Sequence, residues 1–147
     1  MTSRIVAFLT GDGRDGAGRT IEEVLAFSDD RLERHHDFIQ WLFPLAEPSA
    51  AVPGSPVLTP DDIAAAHASA TAQARLAQAV RRMLAFYRDT DHWRRTSDHN
   101  HLRVTRIIKS LRLLVGDAAA DTFRDDMMSM AEDAGVGALS LSYWRAA

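Results

Sequence analysis

Six histidines, His35, His36, His67, His92, His99 and His101, are the side chains of this sequence best suited to acid–base or metal chemistry. Three of them, His92, His99 and His101, lie close together with Asp91 and Asp98 beside them. Imidazole with carboxylate is a ligand set for zinc or a harder divalent ion. His99 and His101 are two residues apart and so leave a helix on different sides; they share a metal only if His99 precedes the helix. The His-Glu-x-x-His pattern of zinc proteases is absent. Histidines scattered in this way also serve as caps and hydrogen-bond partners. A metal- or histidine-dependent small enzyme is therefore one alternative, with His92, His99 and His101 as the ligands if a metal is held. No cofactor is expected.

A second stretch approaches a phosphate-binding loop. Gly13 to Thr20 reads Gly-Arg-Asp-Gly-Ala-Gly-Arg-Thr, after the apolar run Ile5–Leu9 and before a helix signal. A lysine must reach the terminal phosphates in such a loop. Arg19 stands in that place, and Asp15 would face the phosphates. The bland reading, a Gly-rich turn ahead of a capped helix, is preferred. An EF-hand starting at Asp12 fails as well, since Arg14 and Gly16 fall where ligands are needed.

The segment from His101 to Val115 carries Arg103, Arg106, Lys109 and Arg112 with no acid. Such a face holds phosphate or carboxylate groups. The following helix is rich in Asp117, Asp121, Asp125 and Asp126, so pairing within the fold accounts for most of these charges. Arg103 and Arg106 are the exceptions worth testing. Nucleic-acid binding through Arg94, Arg95, Arg103, Arg106 and Lys109, with Trp93 stacking on a base, is a second alternative. Against it stand seventeen basic residues and twenty acidic ones, a net charge of −3.

These residues must be positioned by helices. The chain has 147 residues, one domain's length, and 46% of them are apolar. There is no cysteine, which excludes disulfides and thiol chemistry. Ile5–Leu9 is too short to span a bilayer or form a signal-peptide core, and a cytoplasmic location is expected. That run is read as a short helix. Thr20 caps a helix to about Phe27. Ser28 or Asp29 caps one that ends before Pro44, with Leu32, His36, Ile39 and Phe43 inward. All five prolines lie within 44–60, a long irregular loop. Thr59-Pro60-Asp61-Asp62 opens the next helix. Ser69 or Thr71 restarts a longer one that buries Leu76, Val80, Met83 and Tyr87. Helices over about 100–115 and from Asp117 to near Gly135 form a hairpin about Gly116, and Ser140 caps a last short helix. The expectation is an all-α single domain of six or seven helices over residues 1–147.

Two segments together are distinctive: His36-Asp-Phe-Ile-Gln-Trp-Leu-Phe-Pro44 and His99-Asn-His-Leu-Arg-Val-Thr-Arg-Ile-Ile-Lys-Ser-Leu111. With Gly18-Arg-Thr-Ile-Glu-Glu23 and Met83-Leu-Ala-Phe-Tyr87, they resemble the conserved domain of the opioid growth factor receptor family. The resemblance runs from about residue 5 to 145. Animal members are described as receptors for the pentapeptide Met-enkephalin and carry long tails; this short chain resembles the compact bacterial form. The resemblance implies a non-enzymatic binding or regulatory module for a peptide or small anionic ligand. It brings no catalytic residues. It directs attention to His36, Gln40, Trp41, Trp93, His99, Asn100, Arg103 and Arg106 as candidate ligand-binding residues. Such polar groups on apolar helices either line a pocket or form a buried network. The helix bearing His36 and Gln40 is expected beside the one bearing Asn100, Arg103 and Arg106.

Overall fold

The computed structural model describes residues 3–132 and 134–147. Among these residues there are nine α-helices and no strand, so the all-α expectation holds. The helices fall into two compact units, Met1–Arg82 and Met83–Ala147. No helix among the described residues is long and apolar enough to cross a membrane.

The first unit is built on a short apolar helix. Ile5–Leu9 lies in α1 (Arg4–Thr10), which Ser3 caps by accepting from the Val6 amide. Gly11 ends it with φ of 90°, a left-handed conformation open to glycine at no steric penalty. Helix α1 packs against α2 (Ile21–Leu25), α4 (Ile39–Leu42) and α5 (Pro60–Ala68). It thereby gathers the two helices that flank the Pro-rich loop. The loop itself is closed at its base, where the Leu58 amide donates to the Leu45 carbonyl at 2.8 Å. Thr20 caps α2, and Thr59 with Asp62 forms a reciprocal capping box on α5.

The expected long helix before Pro44 is two helices, α3 (Asp29–Arg34) and α4, which is one reason for nine rather than six or seven. Phe38, Ile39, Trp41, Leu42 and Phe43 are all buried. A single amphipathic helix could not place so dense an apolar run on one stripe together with Leu32. Breaking the chain at His35–Phe38 lets it turn inward, with Phe38 meeting Phe27 edge-on at 5.8 Å. The N-terminal part of α6 (Ala70–Asp89) belongs to this unit. Ser69 caps it, and Arg82 donates to the Phe27 carbonyl and to Asp29.

The second unit is organised by α7 (His99–Leu114), which packs against α8 (Asp117–Ala131) and α9 (Ala138–Ala146). At 100° per residue Val104, Ile107, Ile108, Leu111, Leu114 and Val115 are expected on one arc; the first five are buried and Val115 is half-buried. Phe123, Met127 and Trp144 meet it from α8 and α9 as core residues. The charge complement is realised at Arg112, which donates to Asp117 at 3.0 Å and to Asp121 at 2.8 Å. The hydrogen bond from Arg112 holds the Asp121 carboxyl below its ordinary range. Gly116 and Gly137 occupy the N-cap positions of α8 and α9, where Asp117 and Ser140 were expected.

Gly137 is required by a close approach. A Cβ there would stand 2.6 Å from the Thr96 carbonyl oxygen, to which the Gly137 amide donates. Gly137→Ala is expected to destabilise the protein by about 1–3 kcal/mol through overpacking. Thermal unfolding should show a midpoint several degrees lower.

Candidate functional site

The residues singled out from the sequence divide between the units. His36, Gln40 and Trp41 belong to the first; Trp93, His99, Asn100, Arg103 and Arg106 belong to the second.

In the first unit His36 does not share a helix face with Gln40, because it lies in the break before α4 and is exposed. Its backbone carbonyl instead accepts from Gln40 Nε2 at 3.0 Å. Gln40 Oε1 is buried and has no hydrogen-bond partner, an arrangement that costs about 1–3 kcal/mol. Trp41, next to it, packs edge-on against Phe8 at 5.7 Å. The Arg4 guanidinium lies over the indole at 5.2 Å.

Trp41 is the floor of a cleft of about 540 Å³. The Pro-rich loop, residues 52–57, forms one wall, and Arg4, Gly16, Asp37 and Asp62 complete the rim. Burial pushes the Asp62 carboxyl up, but hydrogen bonds from Ser3, the Thr59 amide and the Thr59 hydroxyl outweigh it, so the carboxyl stays below its usual range. Arg19 donates to Asp37 at 2.9 Å. The same Arg19 donates to buried Asp15 at 2.7 Å, and Asp15 also accepts from the Ala17 and Arg19 amides. The Gly-rich turn is thus gathered around a carboxylate, and its arginine is spent on two acids. A phosphate cradle needs the opposite arrangement.

The second unit holds a buried polar network at the start of α7. Asp98 caps the helix, its Oδ1 accepting from both the amide and the side-chain Nδ2 of Asn100 at 2.9 Å. Asp98 Oδ2 accepts from Arg95. Asn100 is wholly buried; its Oδ1 accepts from the Tyr87 hydroxyl and from Arg103 Nη1, each at 3.4 Å. The ring nitrogens of His92 and His99 approach Asn100 Nδ2 at 3.5 and 3.4 Å. Arg103 is buried and Arg106 half-buried. Trp93 is wholly buried, with Nε1 donating to the Tyr87 and Thr90 carbonyls. A base cannot stack on it, which removes the aromatic element of the nucleic-acid alternative.

The metal alternative meets a different geometry. His101 turns away from His92 and His99; its ring nitrogens contact the Trp93 carbonyl at 2.8 Å and Ser140 Oγ at 2.7 Å. Among the described residues no group of three or more His, Asp or Glu side chains is placed to hold a metal ion. Arg4, Asp62 and Ser140 carry no binding role in the sequence reading, and Asp98 enters it only as a carboxylate beside the histidines. Asp98 was legible as a cap directly before an apolar periodic run. Arg4 and Ser140 carry no such signal, because their neighbours come from elsewhere in the chain.

Residues 17–91 match the family model described as the opioid growth factor receptor (OGFr) conserved region. The chain is 37% identical to the rat and mouse proteins named opioid growth factor receptor and 36% identical to the human one, in each case over 115 residues and 64% of this chain. The chain covers about a fifth of those relatives, 20%, 18% and 17% of their respective lengths. No solved structure matches.

The network makes a pH prediction. Burial raises the Asp98 carboxyl, but hydrogen bonds from the Asn100 amide and side chain, the nearby His99 and Arg95 bring it below its ordinary value of 3.8. A carboxyl depressed in the folded state contributes stability above its unfolded pKa and loses it as pH falls through the folded one. Asp98→Asn is expected to lower stability by about 1–2 kcal/mol at pH 7. Urea unfolding should show the difference from wild type shrinking below about pH 4.

Proposed function

The chain belongs to the opioid growth factor receptor family, and from that premise we propose that it is a peptide-binding module whose site is the cleft beneath the Pro-rich loop. The relatives' name describes a receptor for an opioid growth factor, and a short peptide is the ligand class proposed for this chain. The observation that carries the reading is the cleft floored by Trp41, most of whose lining residues fall in the matched region. Its volume of about 540 Å³ is that of a small-ligand site. An indole floor with proline and valine in the facing wall suits an aromatic side chain. Asp37 and Asp62 outnumber Arg4 at the rim, which favours a peptide's amino group over a small anion. None of the histidines lines the cleft, so the proposed action there is binding without chemistry. A cytoplasmic location is part of the same proposal.

Isothermal calorimetry with Met-enkephalin and with a set of pentapeptides bearing an N-terminal aromatic residue tests this. Wild-type protein is expected to bind at least one of them in the micromolar range, roughly −8 kcal/mol. Val57 stands in the loop wall and is half exposed, so Val57→Arg fills the cleft without touching the core. It should weaken binding at least tenfold while the melting temperature stays within about 2 °C. Absence of binding by every peptide, or an unchanged Kd in Val57→Arg, refutes the assignment.

A further inference from the structure

The second unit contains a serine–histidine pair that the polar network positions and the peptide-binding reading does not use. His101 is buried, and its Nε2 lies 2.8 Å from the Trp93 carbonyl. A carbonyl oxygen only accepts, so Nε2 carries the proton. In the neutral ring Nδ1 is then an acceptor, and it faces Ser140 Oγ at 2.7 Å. Trp144 stands perpendicular to the imidazole at 5.7 Å and donates its indole N–H to the His101 backbone carbonyl at 3.0 Å. The imidazole is therefore fixed in tautomer and in direction, with a hydroxyl as the group in front of its lone pair.

This pair opens onto solvent space. A cavity of about 250 Å³ is lined by both His101 and Ser140. Its mouth is apolar: Leu102, Leu139 and Tyr143 are 71%, 69% and 54% exposed and all three line it. They are three of only four large apolar side chains exposed among the described residues. Ser140 is the third residue of α9, and the helix's uncapped N-terminal end favours negative charge forming there.

We propose that Ser140 and His101 form a nucleophile–base pair that hydrolyses small esters with short apolar acyl groups. Ser140 Oγ forms a bond to the ester carbonyl carbon while its proton passes to His101 Nδ1, and the carbonyl π pair moves to oxygen. Collapse of that intermediate breaks the bond to the alcohol oxygen, which takes the proton from Nδ1 and leaves. Water then attacks the acyl-serine, giving one proton to Nδ1; the acid departs and Ser140 Oγ recovers that proton. The Trp93 carbonyl takes the orienting place that a carboxylate holds in the familiar triad. Leu102, Leu139 and Tyr143 receive the acyl group.

Three measurements test it. Mass spectrometry after treatment with a fluorophosphonate should find a single adduct on Ser140. Hydrolysis of p-nitrophenyl butyrate above the buffer rate should fall at least about tenfold in Ser140→Ala, a variant that removes only one partly exposed hydroxyl. Because the chain has no cysteine, Ser140→Cys also gives a clean thiol reporter. It should react with iodoacetamide at least about tenfold faster at pH 7 than Ser142→Cys, an exposed position on the same helix. No adduct at Ser140, equal hydrolysis by Ser140→Ala, or equal alkylation of the two cysteine variants overturns the proposal. None of these readouts depends on the peptide cleft.

Discussion

The hydrogen bonds that Asn100 gives to Asp98 are the constraint on which the second unit rests. A wholly buried amide left without partners would cost several kcal/mol, so the chain must bring acceptors and donors to it. Asp98 answers from the preceding turn, Tyr87 from α6 and Arg103 from the next turn of α7. Satisfying one amide therefore fixes where α7 begins and how it is rotated about its axis. With that rotation set, Val104, Ile107 and Ile108 point into the core, and His101 meets the Trp93 carbonyl. Asp15 performs a related task in the first unit, where one carboxylate collects two amides and a guanidinium and closes the Gly-rich turn.

Much of this was legible in the sequence, for identifiable reasons. Caps are local, so Thr20, Thr59 and Ser69 marked helix starts correctly. Long amphipathic helices with an apolar arc, such as α7, were equally plain. The segment 35–43 was not, because residues 38–43 are all buried and such a run has no period to read. His36 and Gln40, four apart, fit a helix face on paper. The break at His35–Phe38 is a tertiary effect, driven by burial of Phe38 beside Phe27. The polar character of Asn100 and Arg103 pointed to a pocket or a buried network, whereas Asp37, one partner of Arg19, and Ser140, one partner of His101, lie 18 and 39 residues away in the chain and left no local trace.

Both units concentrate their exposed apolar side chains at a cleft. All four large apolar side chains exposed among the described residues line a cleft: Val57 in the first unit, and Leu102, Leu139 and Tyr143 in the second. Elsewhere the surface carries exposed ion pairs such as Arg14–Glu23 and Arg34–Asp30. Exposed pairs of that kind add little stability. Their effect is to leave the clefts as the places where an apolar partner gains by leaving water.

The closure of the Pro-rich loop by Leu58 on Leu45 separates the wall of the first cleft from the packing that holds the fold. Residues between the two leucines are mostly exposed, while both leucines are buried. The entropy of closing a loop grows only with the logarithm of its length, so doubling the span would cost about 0.6 kcal/mol. Insertions and deletions here are consequently close to neutral for folding and direct in their effect on the cleft's depth and lining. The loop is thus the evolvable part of the molecule, a segment through which descendants of one scaffold can change what they accept without renegotiating their cores.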